Sequence, residues 1–194
     1  MKQADIVRQL SSNDLKRSVL YTQLLLFTLS IILSLFLFSS MTDWINLFEF
    51  NLYDILYYGV LPAFIIILIN IILDKFVPKQ FLDDGGINEK LFSNQSVYSI
   101  FIIAAVVAIS EELLFRGVVQ TTYGYLFASL LFAAIHIRYL KKPVLLLGVL
   151  GTSFYIGYLY ELTYNLNVTI TAHFIIDFIL GLIIKFKIRG DKNE

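Results

Sequence analysis

Residues 97–137 read VYSIFIIAAVVAISEELLFRGVVQTTYGYLFASLLFAAIHI. At a rise of 1.5 Å per residue this is enough apolar chain for two helices that enter a bilayer and return, with a turn in TTYGY at 121–125. Glu111, Glu112 and Arg116 interrupt that reading. A charged side chain at the centre of a span costs about 2.5–3.5 kcal/mol on insertion scales, so three unpaired charges would cancel most of the insertion energy of one helix. They must be compensated, or used.

The rest of the chain supports a membrane setting. Of 194 residues, 58% are hydrophobic and 15% charged, far from the balance of a soluble domain. Uncharged runs fall at 18–42, 55–73, 91–110, 117–137 and 143–160, and a last run at 162–176 extends through Asp177 to 184. Each is close to the roughly 20 residues a span requires. The expected fold is an all-α integral membrane protein, a bundle of about six transmembrane helices. The first run is too long for a signal-peptide core and has no small-residue cleavage site, so it reads as a retained helix.

Charge distribution orients the bundle. Lys and Arg cluster before the first run (Lys2, Arg8, Lys16, Arg17), between the second and third (Lys75, Lys79, Lys90), between the fourth and fifth (Arg138, Lys141, Lys142) and after the sixth (Lys185, Lys187, Arg189, Lys192). By the positive-inside rule both termini and the two basic loops are cytoplasmic. The net charge of zero implies no attraction to nucleic acid, and the lack of cysteine excludes disulfides, thiolate ligands and a cysteine nucleophile. Compact loops with basic flanks suit a bacterial cytoplasmic-membrane protein.

The turn-rich DDGGINEK at 83–90 divides the chain. Residues 1–90 hold a polar lead, two spans without an ionisable group other than tyrosine, and the linker, and they read as scaffold. Residues 91–187 hold every intramembrane Glu, His and Asp and read as a catalytic core, with 188–194 as a cytoplasmic tail. Glu111 and His136 lie equally far from the turn near Gly124, each roughly 18 Å below it, and His173 and Asp177 lie roughly 9 and 15 Å into the sixth span. All four can meet at about one depth.

Helical phase separates the two glutamates. At about 100° per residue, Glu112 and Arg116 lie roughly 40° apart, the spacing of an intrahelical ion pair. Glu111 points away from Arg116 with no local cation, as a general base would. An ion pair and interhelical hydrogen bonds account for each residue singly. They account poorly for a Glu, two His and an Asp gathered on three helices, since intramembrane ionisable clusters mark functional sites.

These motifs resemble those of the intramembrane proteases that include the CAAX prenyl endopeptidases and the bacterial Abi, or CPBP, proteins. EELLFRG carries Glu111, Glu112 and Arg116; FAAIH carries Phe132 and His136; HFIID carries His173 and Asp177. The resemblance covers about residues 97–185. It implies hydrolysis of a peptide bond in a membrane-inserted or lipidated substrate: Glu111 takes a proton from a water that His136 positions, and His173 with residue 177 stabilises the oxyanion. Glu112 and Arg116 then support the site as an ion pair.

One common form of the last motif ends in Asn, which donates a hydrogen bond that ionised Asp cannot. Asp177 is therefore either protonated or orients His173. Two His and a Glu also make a possible zinc set of Glu111, His136 and His173, but no HExxH helix is present, and the simpler expectation is a glutamate mechanism without a cofactor. The competing readings are a non-catalytic binding or immunity protein against a bacteriocin-like peptide, and a small proton-coupled transporter.

Overall fold

The computed structural model describes residues 10–139 and 141–191. Residues 1–9 of the polar lead and 192–194 of the tail, including Lys2, Arg8 and Lys192, lie outside them. Among the described residues the regular structure is all helical, with no strand. Helix α1 spans Ser12–Leu37, α2 Met41–Asn46, α3 Leu52–Phe76, α4 Lys79–Leu82, α5 Ile87–Phe92, α6 Val97–Tyr123, α7 Tyr125–Ile135, α8 Pro143–Thr163 and α9 Leu166–Asp191.

Among the described residues, five of these helices (α1, α3, α6, α8 and the Leu166–Lys187 part of α9) are long and apolar enough to cross a membrane. The expected fourth span is instead the 11-residue α7, about 16 Å long, too short to cross a hydrocarbon core of about 30 Å. The 117–137 run is divided because its first residues continue α6. Gly124, at φ 87° and ψ 166°, makes the turn, in backbone territory that favours glycine. At the other end α7 stops at His136.

Local signals set the other ends. Ser11 caps α1 by accepting from the Asp14 amide, and the Asp14 side chain bonds the Ser11 amide in return. Ser96 caps α6 through the Ser99 amide, and Pro143 opens α8. The linker turns at Gly85 and Gly86, both at positive φ, as its paired glycines predict.

Contacts give the helix directions. Lys16 of α1 donates to Ser99 at 2.7 Å and Gln23 to Glu111 at 3.0 Å, so α1 and α6 run parallel. Helix α9 runs opposite, with His173 beside Glu112 and Lys185 donating to the Gln95 carbonyl. Lys187 pairs with Asp74 of α3 at 2.5 Å. The start of α1 and the end of α9 thus lie at one end of the bundle.

The bundle buries polar side chains within an apolar core and covers its outside with large apolar ones. Helix α1 buries Leu15, Gln23, Ser30 and Ser34 while exposing Leu24, Leu25, Leu35 and Phe36. Lipid solvates leucine as well as a protein interior does, so close packing and interhelical hydrogen bonds hold such helices together, the latter contributing on the order of 1 kcal/mol each. Small residues allow the close approaches. A Cβ on Gly157 would lie 2.9 Å from Arg116 Nη1, from Ser129 Oγ and from the Tyr125 ring.

Candidate active site

The site is built where α6 changes its winding. Residues 97–112 are α-helical, whereas Leu113–Gln120 form a π-helix, in which backbone bonds span five residues, as in Thr121 N to Arg116 O. Constant rotation per residue therefore fails beyond Glu112. The expected Glu112–Arg116 pair forms, fully buried, but at 3.5 Å between Nε and Oε2, with neither atom making a hydrogen bond. The wider winding accounts for the separation.

Arg116 is held by more than Glu112. Its Nη1 donates to Gln120 Oε1 at 3.1 Å and to Ser129 Oγ at 3.4 Å; its Nη2 donates to the Ser153 carbonyl and hydroxyl at 3.1 and 3.0 Å. Gln120 in turn donates to Glu161 at 2.7 Å. One guanidinium thus ties α6, α7 and α8 together beside the site.

His173 is the junction. Its Nδ1 lies 2.8 Å from Glu112 Oε1, and its Nε2 lies 3.5 Å from Asp177 Oδ2 and 3.9 Å from Glu111 Oε2. Three carboxyl groups from two helices surround one imidazole. Glu112 therefore serves two partners, where helical spacing pointed only to Arg116. Glu111, as expected, has no arginine or lysine partner among the described residues, but it is not unattended. Gln23 of α1 donates to its Oε1, and the Gln23 Oε1 is buried without a hydrogen-bond partner. The first span is thus not scaffold alone.

His136 terminates α7, and its Nδ1 lies 2.8 Å from the Phe132 carbonyl. A carbonyl only accepts, so Nδ1 carries the proton and Nε2 of the neutral ring is an acceptor. Among the described residues His136 makes no hydrogen bond or ion pair with Glu111, His173 or Asp177. It is joined to them through Phe132, whose ring centroid lies 4.9 Å from that of His136 and 6.2 Å from that of His173. The structure thus brings Glu111, His173 and Asp177 into one cluster and sets His136 beside it across an aromatic ring.

Access is one-sided. Glu112 and Arg116 have no exposed side-chain surface, whereas Asp177 is 34% exposed. The cluster opens at Asp177 and is sealed behind Glu112. No group of three or more His, Asp or Glu side chains among the described residues is arranged to hold a metal ion.

Spacing within one helix did not point to Gln23, Gln120, Ser129 or Ser153. Their available signal was polarity, since each is an amide or hydroxyl set in an apolar run.

Residues 93–179 match the family model described as type II CAAX prenyl endopeptidase Rce1-like. The chain is also 43% identical over 174 residues, 89% of its length and 92% of the relative's, to the uncharacterized protein YpbD of Bacillus subtilis (strain 168). No solved structure matches. Glu111, Glu112, Arg116, His136, His173 and Asp177 all fall within the family match, and Gln23 falls outside it. The chain belongs to the Rce1-like type II CAAX prenyl endopeptidases and is, on this family and its apolar helices, an integral membrane protein of a protease-type hydrolase family.

Proposed function

We propose that this protein is an intramembrane endopeptidase that hydrolyses a peptide bond in a membrane-inserted or lipidated peptide. The observation that carries the reading is His173 set among Glu111, Glu112 and Asp177. Glu111 Oε2 takes a proton from water as the water oxygen attacks the scissile carbonyl carbon, with His136 Nε2 accepting the other water hydrogen. The carbonyl oxygen becomes an oxyanion that accepts from His173 Nε2–H, while Glu112 holds the opposite ring nitrogen. Collapse breaks the C–N bond, and the amine leaves with the proton Glu111 had taken. Asp177 Oδ2, 3.5 Å from Nε2, orients the ring before the oxyanion forms and yields the Nε2–H to it.

A glutamate mechanism needs no metal. What supports it is that no HExxH helix is present, and that His136 is separated from Glu111 and His173 by the Phe132 ring, so the three do not converge as a ligand set. The basic flanks support a bacterial cytoplasmic membrane with both termini inside.

The test is membrane proteomics of cells carrying wild type or Glu111→Ala. A peptide cleaved only in the wild type is the expected result, with the same cleavage by purified protein in the presence of EDTA. Identical cleavage patterns in the two strains overturn the peptidase reading, and loss on chelation with recovery on adding zinc overturns the metal-free mechanism.

A further inference from the structure

Helix α1 lies outside the residues that match the family, yet it places an amide in direct contact with the proposed base. Gln23 is 5% exposed. Its Nε2 donates to Glu111 Oε1 at 3.0 Å, and its own Oε1 is buried with no partner. The reverse amide orientation would set two acceptor oxygens against each other. Buried polar atoms are normally bonded, so the orphaned oxygen calls for an explanation. The amide is committed at one end alone, to the carboxyl of Glu111.

The consequence is an asymmetry between the two oxygens of that carboxyl. Oε1 is occupied by the amide, while Oε2 faces His173 Nε2 at 3.9 Å, too far for a hydrogen bond. The structure assigns Gln23 as a positioning residue that holds Glu111 by Oε1 and so makes Oε2 the oxygen that exchanges the proton. The assignment rests on the peptidase reading.

Its neighbours on α1 keep the amide in place. Lys16, seven residues earlier and so on the same helix face, donates to Ser99 of α6, and Ser30, seven residues later, is also buried. Helix α1 is thus anchored to α6 two turns before Gln23, which fixes the depth at which the amide meets Glu111.

The test uses the full chain in proteoliposomes with an internally quenched farnesylated CAAX-type peptide as probe, and wild type, Gln23→Met, Gln23→Glu and Glu111→Gln as proteins. Met keeps the length of the side chain without its donor, and Glu keeps the shape while replacing the donor with an acceptor. Both should lower kcat at least 10-fold with KM within twofold of wild type; the melting temperature should be nearly unchanged for Gln23→Met and lowered for Gln23→Glu, which buries a second carboxyl against Glu111. A change of less than twofold in kcat, or a raised KM at constant kcat, overturns the assignment.

A second readout does not depend on catalysis. Dicyclohexylcarbodiimide, an apolar carboxyl reagent, should label Glu111 at least fivefold faster in Gln23→Met, because Oε1 has lost its hydrogen bond; an equal rate overturns the assignment. If wild type and Glu111→Gln are equally inactive on the probe, the peptidase reading is what fails for this substrate, and the labelling rate still decides whether Gln23 holds Glu111.

Discussion

Glu112→Gln removes one charge and no volume, at the point where two interactions meet. Glu112 Oε2 lies 3.5 Å from Arg116 Nε and Oε1 lies 2.8 Å from His173 Nδ1. At an effective dielectric constant of about 20 the first pair alone is worth about 5 kcal/mol of direct attraction, offset by the desolvation of both ions. Glutamine cannot serve both partners. With its oxygen toward His173 its NH2 meets a guanidinium donor, and with its oxygen toward Arg116 the NH2 meets the imidazole N–H. Breaking one side of a buried ion pair costs about 3–5 kcal/mol, and the lower end applies here because Arg116 keeps acceptors on Gln120, Ser129 and Ser153. The variant should therefore lose about 3 kcal/mol of stability, and activity should fall about 10-fold to 100-fold as His173 loses the group that orients it.

The assay is unfolding in detergent micelles followed by the fluorescence of Trp44, the only tryptophan, whose ring packs against Gly117 in the π-helical segment. A double-mutant cycle with Arg116→Met isolates the pair, and a coupling of about 1–3 kcal/mol is expected for residues in contact. Additivity within about 0.5 kcal/mol would refute the reasoning, since the buried contact would then carry no energy.

Three further outcomes follow from the same geometry. Glu111→Gln should abolish cleavage while changing stability by less than about 1 kcal/mol in the same melt, because the residue has no arginine or lysine partner and a neutral amide is less costly to bury. Gly157→Ala, whose Cβ would sit 2.9 Å from Arg116 Nη1, should destabilise by about 1–3 kcal/mol through overpacking, and a neutral melt would show that the guanidinium is not seated as described. Asp177→Asn should retain cleavage of the farnesylated probe, because the amide can still accept from His173 and can also donate to an oxyanion, whereas Asp177→Ala should reduce it at least tenfold.

Much of the fold was legible because membrane insertion is decided locally, by composition over about 20 residues. The apolar runs located five long helices, and Gly124 marked the turn between α6 and α7. The extent of α7 was not legible, because the same apolar composition suits a full span and a helix that stops at His136. The site was legible where it depends on spacing within one helix: Glu112 with Arg116, and His173 with Asp177, are both four residues apart and both form contacts.

What the sequence by itself determined, then, is the membrane fold, the turns that glycine makes cheaply, and the set of ionisable groups that must satisfy one another in a medium without water. What only the tertiary structure decided is which of them do. That Glu112 takes His173 as well as Arg116, that Gln23 of a seemingly inert first span reaches Glu111, and that α6 widens into a π-helix after Glu112 all depend on the rotation and depth of one helix against another. In lipid those are set by close packing and by the pairing of buried polar groups, interactions between residues as distant in sequence as Gln23 and Glu111, 88 positions apart. No periodicity within a single helix records them.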